Sequence, residues 1–168
     1  PEAAASQLKE SQDAFGFIPN IHRALAASPE TLEFYKYLHD QFQASSFDNT
    51  ELTVVWQTIN YYHDCSYCIP AHTATAHMMK VDPAIIEALH NGESLQDNKL
   101  SVLQQTTRAV VDQRGRLNEE QICRFKSKGY GEKQLLEILL GLAQKVISNY
   151  TNHLAKTPLD APFEQFAN

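Results

Sequence analysis

The chain has 168 residues and a formal net charge of −6, from 14 Lys and Arg against 20 Asp and Glu. Apolar residues make up 43% and charged residues 20%, the balance of a globular domain with a real core. The basic groups of "RFKSKGYGEK" are diluted by glycines and a glutamate, so neither a nucleic acid nor an anionic membrane is an expected partner, and no run is apolar enough to span a bilayer.

The opening "PEAAASQLKE" has no basic region ahead of an apolar stretch, so no signal peptide is read. A start on proline rather than methionine reads as a trimmed terminus. In "SPETLEFYKYLHDQF", Ser28 is an N-cap and Pro29 a first helical residue, with Leu32, Tyr35, Leu38 and Phe42 along one side. "ELTVVWQTINYY" carries β-branched residues that suit a strand. Its Leu52, Val55, Trp56, Ile59 and Tyr62 recur at helical spacing, which predicts a helix with one buried face. "DPAIIEALHNG" is capped by Asp82, started by Pro83 and stopped by Gly92. "KLSVLQQTTRAVVDQRG" is amphipathic. "NEEQICRF" has Asn118 and Gln121 at capping-box spacing before Gly129, and "EKQLLEILLGLAQKVISNYTNHL" is a long amphipathic helix. The expected fold is all-α, with seven or eight helices and no linker. The polar-aromatic endings "INYYHD" and "ISNYTNH" hint at duplicated helical units.

Three cysteines, Cys65, Cys68 and Cys123, do not make a secreted disulfide framework. They fit a reducing, cytoplasmic setting in which the close pair does chemistry and Cys123 faces the interior as packing. In "HDCSYCIPAH", about 100° per residue puts Cys65, Cys68 and His72 on one narrow helix face. Asp64 reads as an N-cap, and Pro70 argues for a later start, with a tight turn over 65–67 and regular helix from Cys68. Both sulfurs then sit at a helix N-terminal end, where a thiolate is favoured. Three readings stay open on these residues. The pair can be redox-active, can join His72 and a distant fourth ligand such as His153 or His63 around zinc, or can be two buried hydrophobes. Redox ranks first, and no metal or other cofactor is assigned.

The motif Cys65-Ser-Tyr-Cys68-Ile-Pro-Ala-His72, with "ELTVVWQTINYY" ahead of it, resembles the carboxymuconolactone decarboxylase / alkylhydroperoxidase AhpD-like family, in particular its peroxidase-related members. "FGFIPNIHRALAASPETLEFYKYLHDQF" and "NYTNHLAKTPLD" resemble the two ends of such proteins. The resemblance implies a single AhpD-like domain over 1–168, with N-terminal helices in 1–47 packed on a core that holds the motif helix. It implies a homo-oligomer that reduces hydroperoxides and is recycled by an external dithiol. Under this scheme Cys68 attacks the peroxide, Cys65 resolves the sulfenic acid to a disulfide, and His72 helps deprotonate the attacking thiol. Lactone decarboxylation is the less expected activity, because it does without the cysteine pair.

The family glutamate that relays protons to the histidine stands twelve residues before the first cysteine; here that position is Thr53. Glu51, in a shifted geometry, and Tyr150 and His153 of the last long helix are the candidates for relay or support; Asn149, Tyr150 and His153 share one face, and a capped, partly buried helix end is at least as good a reading of it. With the glutamate gone, the alternatives are a disulfide oxidoreductase without significant peroxidase activity, or a structural or zinc-binding helical oligomer. Tyr67 is expected to pack over the sulfurs and Trp56 to sit in the core. Met78 and Met79 are expected to fill core or interface space. His22, His39 and His90 carry no constellation.

Overall fold

The structure, a computed structural model, describes residues 2–167; Pro1, on which the reading of a trimmed start rests, lies outside them. Helix signals cut the chain into α1 (Ala5–Phe15), α2 (Asn20–Leu25), α3 (Pro29–Gln43), α4 (Asn49–Tyr62), α5 (Cys68–Met78), α6 (Pro83–His90), α7 (Asn98–Asp112), α8 (Glu119–Ser127) and α9 (Glu132–Ala155). Short 3₁₀ turns flank them at Glu2–Ala4 and Ala161–Phe166, and the described residues contain no strand. The all-α expectation holds. The count exceeds seven or eight because the N-terminal stretch breaks in two, with Gly16 turning left-handed at φ 77° ahead of Pro19. Among the described residues no helix is long and apolar enough to cross a membrane.

The caps work as their residue types predict. Ser28 accepts from the Thr31 N–H, Asp82 from Ala84, and Asn118 forms a full capping box with Gln121. A second box, between Asp48 and Glu51, opens α4. Each such cap is worth about 1 kcal/mol.

Helix α4 is the hub. It packs against α5, α6, α7 and α9. Every residue from Glu51 to Asn60 is therefore buried, not the single face that periodicity predicts. Partners on all sides leave no solvent face until Tyr61 and Tyr62. The core around it holds Phe42, Trp56, Ile59, Leu103, Phe125 and Ile138.

Helix α9 lies across α3, α4 and α2. Its buried residues include Ile138, Gly141, Lys145, Ser148 and Asn152 at an alternating three-and-four spacing, with Gln144 and Asn149 beside that stripe. The stripe begins apolar and turns polar. Gly141 sets how closely α9 approaches, because a Cβ there would lie 2.9 Å from the Phe42 ring and 3.2 Å from Val55.

Helix α8 corrects one expectation. Cys123 is exposed, not interior packing. Phe125 is the buried anchor of this short helix, and two residues away is about 200° of rotation, so Cys123 faces solvent.

Gly141→Val would push α9 off Phe42 and Val55. Stability should drop by about 1–3 kcal/mol, read as a lower urea midpoint at an unchanged slope. A midpoint equal to that of the parent protein would show that the close approach is not required.

Candidate active site

The end of α4 builds the cysteine turn. His63 N–H donates to Ile59, Asp64 N–H to Tyr61 at 3.0 Å, and Cys65 N–H reaches back to Asn60 at 3.1 Å. Asp64 is left-handed at φ 51°. This is a Schellman closure with aspartate in the place glycine usually takes. Asp64 thus terminates α4 and is not the N-cap of α5, a correction that follows from its backbone sign. The capping role falls to Cys65. Its carbonyl accepts from Ile69 N–H at 3.0 Å, and its Sγ accepts from Cys68 N–H at 3.2 Å. Cys65 is thereby locked by backbone, and regular helix starts at Cys68. Pro70 costs nothing so close to the helix start.

Buried amides of α4 grip the same turn. Asn60 Nδ2 donates to the Cys68 carbonyl at 3.3 Å, and Gln57 Nε2 donates to the Ile69 carbonyl at 3.0 Å. Asn149 of α9 donates to Asn60 Oδ1 at 3.0 Å and its own Oδ1 lies 2.8 Å from His63 Nδ1. The two similar endings in the sequence, "INYYHD" and "ISNYTNH", therefore meet through Asn60 and Asn149.

The two thiols are unequal. Both are free and buried. Asn152 Nδ2 donates to Cys68 Sγ at 3.1 Å. Burial alone would push the Cys68 thiol up. A hydrogen bond from Cys65, the Lys145 ammonium, and amide donors from Asn152 and Asn149 outweigh it and bring the thiol down to about 6. Cys65 moves upward, because it donates to Cys68 and is itself desolvated. The pair thus holds its one proton on Cys65.

Lys145, from α9, is 1% exposed. Its Nζ donates to His72 Nε2 at 2.8 Å. That bond assigns the ring proton to Nδ1, a buried atom with no partner of its own. His72 is thus brought to Lys145 rather than hydrogen-bonded to Cys68. Burial, then Lys145 and His39, holds it neutral well below the usual histidine range. The ring packs on Trp56 at 4.9 Å between centroids, and His39 stacks parallel on the indole at 5.3 Å. Gln144 joins them, accepting from Trp56 Nε1 at 2.7 Å and lying 3.2 Å from His39 Nδ1.

Cys68, His72, Lys145 and Asn152 line a cavity of about 540 Å³, whereas Cys65 does not. Helices α1, α2 and α3 supply the opposite wall, including Phe15, Ile21, His22, Tyr35 and His39. His22 and His39, which carry no constellation in the sequence, both face this space; burial is the first reason that each titrates at only about 4. Tyr67, between the two cysteines, is buried as expected and donates to Asp160 at 2.5 Å. Asp160 in turn accepts from the Asn20 N–H at 3.1 Å. The C-terminal segment is so tied to both the cysteine turn and the start of α2.

The candidate relay residues are not brought to the pair. Glu51 closes the α4 capping box and is held by Lys99 at 2.7 Å and Tyr130 at 2.9 Å. Burial pushes its carboxyl up, and the bonds from Lys99, the Asp48 backbone and Tyr130 carry it below the usual range. Thr53 donates to the Asn49 carbonyl of its own helix at 2.8 Å. Tyr150 is exposed and sits between His63 and His153, at 5.3 and 6.4 Å. His153 and Met78 are exposed too. Among the described residues no group of three or more His, Cys, Asp or Glu has the geometry to hold a metal ion.

Sequence reasoning missed Lys145 and Asn152. The signal was there: the inward phase of Ile138 and Gly141 runs on to Lys145, Ser148 and Asn152 at the same spacing.

No protein-family model matches the sequence, and no curated protein is similar to it. Solved structures are. A peroxidase-related protein from Silicibacter sp. TM1040 is 18% identical, with a TM-score of 0.78 over 99% of this chain and 90% of that one. An alkylhydroperoxidase AhpD core protein from Ralstonia eutropha JMP134, also described as peroxidase-related, is 19% identical, with a TM-score of 0.80 over 97% and 88%. The fold is the AhpD fold. Within this AhpD-type frame the cysteine turn sits at the joint of α4 and α5, and α9 closes over it.

Asn152 gives Cys68 a neutral donor and takes little else, since its Oδ1 is buried without a partner. Asn152→Leu should raise the Cys68 pKa by about one unit, the worth of one hydrogen bond to a charged group. The pH profile of iodoacetamide alkylation at Cys68 would show it; an unmoved profile would remove Asn152 from the thiolate's support.

Proposed function

We propose that this protein is a thiol peroxidase of the alkylhydroperoxidase type, reducing hydroperoxides through Cys68 with Cys65 as the resolving thiol. One observation carries the reading: of two adjacent buried thiols, only the one with the lowered pKa opens onto the cavity. A peroxide entering from the α1–α3 side meets Cys68 first. Attack would leave a sulfenic acid beside Cys65, and condensation would give a disulfide and water. An external dithiol would return the pair to the reduced state by exchange.

In this reading the chain works as one domain, with α1–α3 as the outer wall of the cavity. A reducing, cytoplasmic setting belongs to the same reading, supported by an odd cysteine count with one close pair. Exposed Phe34 and Tyr37 on α3 and Leu136 and Leu139 on α9 support a homo-oligomer. The peroxidase-related names of the structural neighbours support the same chemistry.

A second reading, a disulfide oxidoreductase without peroxidase activity, is favoured by one fact: Thr53 is bonded to its own helix and supplies no carboxylate. Cys68, at 3% exposure, is too recessed for a protein disulfide to reach without local opening.

Stopped-flow mixing of reduced protein with cumene hydroperoxide decides between them. Wild type should oxidise in a single fast phase, and Cys68→Ser should fall to background. Cys65→Ser should still consume one equivalent and accumulate a dimedone-reactive sulfenic acid. Wild type that ignores peroxide but reduces a low-molecular-weight disulfide would establish the second reading instead. The peroxide reaction should hold steady above pH 7 and weaken as pH falls through about 6, because the reactive thiolate exists only above the Cys68 pKa. A rate that is flat from pH 5 to 8 would contradict this assignment of the attacking thiol.

A further inference from the structure

Lys145 is among the largest fully buried side chains. A buried ammonium needs a negative partner or it gives up its proton. Among the described residues its side-chain hydrogen bond goes to a neutral imidazole. Among the described residues no carboxylate pairs with it. The groups around it are His72 and Cys68 of α5, Cys65 of the preceding turn, and His39 of α3. Helix α4 presents Trp56, which cannot ionise, while Tyr35 and His22 line the same cavity. Further out, Lys36 is paired with Glu10 at 3.1 Å, and Asp40 also lines the space. Of the groups next to Lys145, the histidines carry no negative charge in any state. Only the cysteines can be anionic there.

We infer that Lys145 is the counter-charge of the Cys68 thiolate and the proton donor to the departing alkoxide, so that its own charge follows the redox state of the cysteine pair. The donor half rests on the peroxidase reading; the counter-charge half does not. In the reduced protein the proton of Cys68–SH resides on Lys145, giving Cys68–S⁻ and Lys145–NH₃⁺. Cys68–S⁻ attacks the terminal oxygen of ROOH. The S–O bond forms, the O–O bond breaks, sulfur loses two electrons, and RO⁻ leaves. Lys145–NH₃⁺ gives RO⁻ its proton, leaving Cys68–SOH, ROH and Lys145–NH₂. Cys65–SH then condenses with Cys68–SOH to the disulfide and water. The anion has gone and so has the ammonium, so the oxidised site buries no unmatched charge. When an external dithiol reduces the disulfide, the new Cys68 thiol reloads Lys145. His72 is a positioning residue: it accepts from Nζ and aims the amine along the cavity wall.

Burial and the two cysteines act on Lys145 in opposite senses, burial lowering it and the cysteines raising it. That balance is what a redox-linked proton requires.

Two measurements test the inference, neither of which needs peroxidase turnover. The first follows alkylation of Cys68 by iodoacetamide, resolved from Cys65 and Cys123 by mass spectrometry. Lys145→Met should slow it by about tenfold or more at pH 7, and Lys145→Arg, which keeps the charge, should restore it. Equal rates in wild type and Lys145→Met would overturn the counter-charge. The second uses wild type alone, so it survives a variant that fails to fold. Reduced protein showing thiolate absorbance at 240 nm and pH 7 is oxidised with diamide in weak buffer with a pH indicator. Diamide takes up two hydrogens per disulfide. If Lys145 surrenders its proton, none is drawn from solvent. Uptake of one proton per disulfide would mean that Lys145 stays charged and would overturn the donor role. Wild type inert to cumene hydroperoxide, but passing both tests, would sink the peroxidase reading and leave the charge coupling standing.

Discussion

An ammonium taken out of water must be matched, and in this fold the match offered to Lys145 is a thiol. The surrounding architecture follows from that one constraint. The inward stripe of α9 has to change from apolar to polar halfway along, because Ile138 and Gly141 face the Phe42 and Trp56 core while Lys145, Ser148 and Asn152 line the cavity onto which Cys68 opens. Gly141 sits at the changeover, where α9 must come close enough to α3 and α4 to seal the site. The amides of Asn60, Asn149 and Gln57 then satisfy backbone and side-chain groups that would be stranded in a buried polar layer.

The asymmetry of the two cysteines is a backbone effect before it is a chemical one. Cys65 follows the left-handed Asp64 at the end of α4, and its sulfur caps the helix that Cys68 begins. In that position it has no opening to the cavity. Cys68 stands one turn on, between the Asn152 amide and the cavity. A single turn of chain thereby separates a sealed thiol that keeps its proton from an accessible one that loses it. The order of attack and resolution in the proposed mechanism needs nothing more.

The fold was legible from local signals. Ser28, Asp82, Asn118 and the prolines after the first two mark helix starts with their own chemistry, and those starts stand where the residues put them. The Cys65, Cys68 and His72 spacing points to the corner of the molecule where Cys68 and His72 line the cavity. What could not be read locally is what depends on packing. Asp64 is as good a cap for α5 as a terminator for α4 until the sign of its φ is known. Cys123 and Phe125 compete for the inside of a short helix, and only the neighbours of α8 decide between them. A lysine in an amphipathic helix ordinarily marks the solvent side, so Lys145 hid in plain view. Glu51 is acidic and close in sequence to Thr53, yet a capping box, Lys99 and Tyr130 already occupy it.

Thr53, at the position where the family resemblance leads one to expect a relay acid, is compatible with the lysine in place. A carboxylate that reached Lys145 would give that ammonium a permanent partner. The pull of Lys145 on the thiol would weaken, and its proton would cease to depend on the state of sulfur. With Thr53 turned back to the Asn49 carbonyl, no such competitor exists. His72 fits the same logic. A histidine that accepts from Lys145 and is held neutral by burial adds no charge of its own, so it can steer the amine without cancelling its field. A threonine at position 53 and a neutral, buried histidine then serve one end: among the described residues next to Lys145, the cysteine pair alone can carry negative charge.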